Sequence, residues 1–366
     1  MTDMNPEVAA QLEQQKQNCI FCKIISGAMQ GKNVYDDNLM SGILDINPCT
    51  KGHTLIMPKE HYPIMPLLPP ETFKHIFGKM PAIVGALKNA MLTTGLNILI
   101  ANGGVAGQQS PHFLFHLLPR EAGDNLDKYS FDMPGPIDEK KATEINSMLG
   151  NNLPIMMNNH FGRNPATWRK GDIHTIPYIE AIEGTKIYED EKVTVFIPKI
   201  QMCIGHLVVY SNEEEFEFEN LSEESGSHLF YTASFAATAV FEGMGAHGSN
   251  IILKTGTSND NTEGKLAIHI IPRFGEDGLD LINPPLKNKP NLDEIQGKIK
   301  DKFFVIQHSE EKPKVAPVIN LDEIKPEVIN FESDGYGNTQ DINENKDANT
   351  NPEDEIANAI NKIINN

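Results

Sequence analysis

The residues best suited to chemistry lie in Ser110-Pro111-His112-Phe113-Leu114-Phe115-His116-Leu117-Leu118-Pro119-Arg120. Alternation puts His112, Leu114 and His116 on one face if the segment is extended. Imidazoles on such a face can bind metal, move protons or attack phosphorus. Just upstream, Asn102-Gly103-Gly104-Val105-Ala106-Gly107-Gln108 is glycine-rich, and bare backbone amides there suit an anion. A third group is Cys19 and Cys22, two thiols at Cys-x-x-Cys spacing. That spacing serves a zinc knuckle, a redox pair or two small core residues. A redox pair would sit at a helix start in a βαβ setting, which the surrounding pattern does not supply.

Short strands and one long helix must position these groups. Strand patterns fall at Asn33–Tyr35, Ser41–Leu44, His53–Met57, Asn97–Ala101 and His112–Leu118. Pro69–Leu92 has helical spacing, with Phe73, Ile76, Phe77, Met80, Ile83, Val84 and Leu87 on one side and Pro81 as a source of a kink. The same series returns at a constant offset of 153 residues: Tyr35 and Asp37 as Tyr188 and Asp190, Gly52-His53 as Gly205-His206, His75 as His228. His116, Pro119 and Arg120 return as His269, Pro272 and Arg273. One register held without a gap means a duplicated domain. The organisation read from this is an N-terminal helix in 1–17, a first domain in 18–128, a linker in 129–171 with a helix from Asp138 to Met148, a second domain in 172–300 and an acidic, mostly disordered tail in 301–366 with a short amphipathic helix at Ile356–Ile364.

Composition narrows the function classes. The formal net charge of −19 argues against nonspecific binding to nucleic acid or to an acidic membrane surface. Residues 309–366 hold 13 acids against 5 lysines, so the part before them is only moderately acidic. No apolar run reaches the roughly 18–20 residues of a membrane span. Four cysteines are too few for a disulfide scaffold, and with no secretory pattern at the start they fit a reducing cytoplasm.

The histidine stretch with its glycine-rich loop and Pro-Arg resembles the histidine-triad (HIT) superfamily, whose signature is His-x-His-x-His-x-x. The resemblance implies an α+β fold, a five-stranded antiparallel meander sheet with helices, and pairing of two such units. Two tandem copies would pair as an intrachain pseudo-dimer, with a homodimer also open. It implies a structural zinc held by Cys19, Cys22, His61 and His112. In the second copy these positions become Asp172, Thr175, Glu214 and Lys265, a joint loss. It also implies a nucleoside phosphate ligand, with Asp45 on the ribose and Asn102, Gly107, Gln108 and His116 toward the phosphates. An Asx-turn before Pro48 is the other reading of Asp45. The family nucleophile is the middle histidine, and here Leu114 and Ala267 occupy that position. Neither has a lone pair. Three functions follow: a nucleotide-binding protein without the nucleophile, an active hydrolase or nucleotidyltransferase using another residue such as His116, or a zinc-stabilised interaction module.

Overall fold

The computed structural model describes residues 13–124, 126–129, 131, 137–171, 173 and 176–308. Residues 1–12 of the expected N-terminal helix lie outside the described residues, and 13–18 are helical. Asp172, Thr175, residues 132–136, the tail from 309 and the short helix expected at Ile356–Ile364 also lie outside them.

The first half runs α1 (Ile20–Ile25), β1 (Asn33–Asp36), β2 (Met40–Leu44), β3 (Thr54–Pro58), α2 (Pro70–Met91), β4 (Gly95–Asn102) and β5 (Phe115–Arg120). The helix α3 (Glu139–Arg163) and the short α4 (Pro177–Glu180) lead into the second half. That half repeats the plan as β6 (Gly184–Glu189), β7 (Val193–Pro198), β8 (Leu207–Ser211), α5 (Glu223–Met244), β9 (Gly248–Gly256) and β10 (Ala267–Arg273), then closes with α6 (Leu292–His308). The fold is α+β, with one antiparallel sheet ordered β1-β2-β3-β5-β4-β9-β10-β8-β7-β6. Each half is five-stranded, and only its first three strands follow as a meander. The long helix after β3 returns the chain one place further on, so β5 fills the gap between β3 and β4. The halves join through β4 and β9, which pair from Gly95↔Gly256 to Asn102↔Ser249. An intrachain pseudo-dimer is therefore built on one continuous sheet.

Helices α2 and α5 cover one face of the sheet. Their apolar stripes, Phe73, Ile76, Phe77 and Met80 on α2 and Leu229, Phe230 and Ala233 on α5, enter the main core with Ile98, Phe115, Leu117, Leu253 and Ile268. Close approach is set by Gly226, where a Cβ would lie 2.7 Å from the Pro81 ring. The helix α2 runs unbroken through Pro81. The other face carries the histidines.

Two details differ from the expected boundaries. The expected strand at His112–Leu118 begins only at Phe115. Before it, the Phe113 N–H donates to Tyr62 O at 2.5 Å instead of joining the ladder. The alternation survives, since Phe113 and Phe115 enter the main core while Leu114 packs on the opposite face. The helix expected to end near Met148 runs on to Arg163, and the last helix passes the boundary at 300 to reach His308. These helices start at equivalent places, 139 and 292, again 153 apart. Yet α3 packs with the second half, Gly150 meeting Ile187 of β6. The helix α6 packs on the first half, with Phe303 edge-on to Tyr35 and Gln296 and Gln307 donating to the free carbonyls of Asn33 and Asp36. Each half thus lends its last helix to the other, and α6 caps an otherwise open sheet edge.

Candidate functional site

The first cluster gathers at the start of α1. Cys22 Sγ lies 3.3 Å from His61 Nδ1 and 3.4 Å from His112 Nδ1, and Cys19 Sγ lies 3.6 Å from His112 Nδ1. Tetrahedral zinc with two sulfur and two nitrogen ligands would set S···N edges of roughly 3.5 Å. His112 Nε2 donates to Pro58 O at 2.9 Å, so the lone pair sits on Nδ1, the atom facing the thiols. Burial lowers the pKa of both His61 and His112, keeping the imidazoles neutral as ligation requires. Burial, and then the neighbouring Cys19, push the Cys22 thiol up to about 12. Two adjacent thiols and two neutral imidazoles form a soft donor set that fits zinc. All four residues expected from the sequence converge here, their ligand atoms within 4.8 Å of one another.

The second cluster is a hydrogen-bonded relay between β3 and β5. The Cys49 N–H donates to His53 Nδ1 at 3.3 Å, making that nitrogen an acceptor. His53 Nε2 then carries the proton and donates to His116 Nδ1 at 2.9 Å. What remains is His116 Nε2, an N–H donor with no lone pair. Burial takes both rings down to about 3, so both are neutral at pH 7. Asp45 lies alongside, its Oδ2 3.7 Å from His53 Nδ1. Its Oδ1 accepts the Asn47 N–H at 2.7 Å, so the Asx-turn is real and leaves the other oxygen to face a ligand. Asp45, His53 and His116 are close enough to hold a metal. The second half argues against that use, because His206 and His269 keep the same bond at 3.1 Å where Pro198 replaces the carboxylate. His53 was not picked out by sequence reasoning as a site residue. Its signal was the repeated Gly-His dipeptide.

Leu114 packs with Phe21, Ile24 and Ile25 of the α1 segment against Ile43, Leu55 and Met57. This apolar wall lies next to Asp45 in sequence and in the sheet. The glycine-rich loop is less open than its composition suggested. The N–H groups of Gly103, Ala106, Gly107 and Gln108 all bond within the loop. Gln108 spends its amide on Pro63 O and Ser110 O, and Asn102 bonds Met65 N–H and Ser249. Both therefore hold the loop's shape. The N–H groups of Gln109 and Ser110, just before His112, have no partner among the described residues.

A sheet with a glycine-rich turn feeding paired imidazoles on its open face defines the histidine-triad class of fold. The HIT domain profile matches residues 26–123. An adenylylsulfatase of Arabidopsis thaliana is 34% identical over 37% of this chain and 70% of its own length. An adenosine 5'-monophosphoramidase of Candida albicans is 30% identical over 35% of this chain and 91% of its own. A zinc-bound histidine triad family protein of Mycobacterium smegmatis is 37% identical, with a TM-score of 0.28, over 30% of this chain and 80% of its own. The chain belongs to the HIT family. Among the described residues no helix is long and apolar enough to cross a membrane.

Proposed function

We propose that the first half binds a nucleoside phosphate, with an adenine nucleotide as the first candidate, and does not transfer the nucleotidyl group through a histidine. The observation that carries this reading is the replacement of the middle histidine by Leu114 beside an otherwise complete pocket wall. Asp45 Oδ2 would accept the ribose hydroxyls, and the apolar wall from Phe21 to Leu55 would take the base. His116 Nε2–H and the unspent amides of Gln109 and Ser110 would donate to phosphate oxygens. Support for the adenine choice comes from the two relatives, an adenylylsulfatase and an adenosine 5'-monophosphoramidase.

The same relay weakens the alternative of an unorthodox enzyme, because His116 offers a proton where a nucleophile needs a lone pair. Zinc bound by Cys19, Cys22, His61 and His112 would supply a closed structural cross-link between α1 and the lead-in to β5. Free, unpaired cysteines suit a reducing compartment, which we take to be the cytoplasm. AMP should raise the melting temperature and Asp45→Ala should remove most of the shift. If no nucleotide moves the melting temperature, the zinc-stabilised interaction module is the better account.

A further inference from the structure

The second half has its own imidazole relay, and that relay is covered. Met202 N–H donates to His206 Nδ1 at 3.3 Å, and His206 Nε2 to His269 Nδ1 at 3.1 Å, as in the first half. Here the Phe131 ring lies against both imidazoles, with centroids 4.7 Å from His269 and 5.7 Å from His206. Lys254 sets its ammonium 4.4 Å from the centre of the same ring. That ammonium donates to the backbone carbonyls of Tyr129 and of Asp260, the latter at 3.0 Å, and lies 3.5 Å from the Asp260 carboxylate. Phe131, His206 and Lys254 are all buried. A buried cation is tolerable when an aromatic face, carbonyls and a carboxylate replace its water.

At the 153-residue offset, Lys254 corresponds to Ala101 and Asp260 to Gly107. The first half therefore has only a methyl group and a hydrogen where the second has a lysine and an aspartate. The residue that fills the second pocket comes from the first half, from the segment following β5. The equivalent segment of the second half travels the other way. Ile282, the counterpart of Tyr129, lies so close to Gly107 that a Cβ there would be 2.6 Å from its side chain. Further on, Leu286 N–H donates to Pro48 O at 2.8 Å. The two segments are tied where they meet, Lys128 donating to Ile282 O at 2.7 Å.

We propose that the second pocket is a socket for the chain's own Phe131. Seated there, Phe131 fixes the crossed segments that close against the loop of the first pocket. The chain then binds one nucleotide, and affinity in the first half depends on an aromatic ring in the second. The affinity part rests on the nucleotide reading above; the socket does not.

The test is calorimetric titration of AMP into the wild type, Phe131→Ala and Phe131→Leu, with a thermal-shift scan against indole. Expected are one AMP per chain in the wild type and about fivefold weaker binding in Phe131→Ala at unchanged stoichiometry. The leucine variant, which keeps apolar volume, should fall between them and serves if the alanine variant does not fold. Indole should raise the melting temperature of Phe131→Ala but not of the wild type, by refilling the vacated space. Two AMP per chain in the wild type, or unaltered AMP affinity in both variants, would overturn the proposal. If the wild type binds no AMP, the nucleotide reading fails and indole alone decides the socket: stabilisation confined to the alanine variant supports it, and stabilisation of neither protein overturns it.

Discussion

On the reading proposed above, Leu114 stands where a HIT histidine would attack, and its side chain is built into an apolar cluster. Residue identity also sets acid stability. Asp37 accepts from Tyr35 OH at 2.9 Å and His75 Nε2 at 2.8 Å, while its other oxygen takes the Leu39 and Met40 N–H groups. Burial pushes its carboxyl up, but these donors outweigh burial and bring it down to about 2. Asp190 repeats the arrangement with Tyr188 and His228 and is lowered for the same reasons. A depressed carboxylate stabilises the fold above its unfolded value near 4 and loses that contribution as pH falls toward 2. Asp37→Asn should therefore cost about 2 kcal/mol at pH 7 and much less near pH 2, read by urea denaturation at both pH values. Tyr35, Asp37 and His75 were visible in the sequence as repeated letters, but not as a network. Their meeting depends on α2 lying over the β1–β2 turn, and no local pattern encodes that.

At the scale of elements, the zinc candidates illustrate what sequence can supply. Cys19, Cys22, His61 and His112 were identified through a family likeness, and the fold brings them within ligand distance of one another. The strand start at Phe115 was missed because alternation continues through residues that have left the ladder. His112 is held by Pro58 O and the thiols, so the Cys/His cluster positions the lead-in that carries Leu114. Chelation, or Cys22→Ser, should remove bound zinc and lower the melting temperature by at least about 5 °C, read by metal analysis and calorimetry together. An unchanged melting temperature on loss of metal would separate the cluster from fold stability. The loop before it was overestimated for a physical reason. Glycine content marks a backbone able to turn sharply, and this one turns onto its own amides.

For the whole molecule, the repeat was fully legible and its consequence was not. A constant offset announces two like halves, but says nothing of which half holds which helix. The exchange of α3 and α6 needs three-dimensional placement, as does the ion pair across the centre. Arg120 Nη1 meets Asp260 Oδ1 at 2.7 Å, both side chains wholly buried, while Asp124 holds the same guanidinium from its own half. Asn97 and Ser258 complete the shell around Asp260. Asp260→Ala would take from the buried Arg120 its carboxylate across the centre, leaving Asp124 as its remaining ion-pair partner, and should cost about 3 kcal/mol, measured by chemical denaturation. The counterpart Arg273 bonds Asn250 of its own half instead, so the two halves are not interchangeable. Asp260, in the loop after β9, is part of the seam.

The most direct test of a nucleotide pocket without its nucleophile is hydrolysis of a fluorogenic adenosine phosphoramidate by the wild type and by Leu114→His. The account predicts no turnover by the wild type and measurable turnover once an imidazole stands beside His116. Turnover by the wild type at rates the variant does not exceed would contradict it, and would move the search to water activated within the pocket.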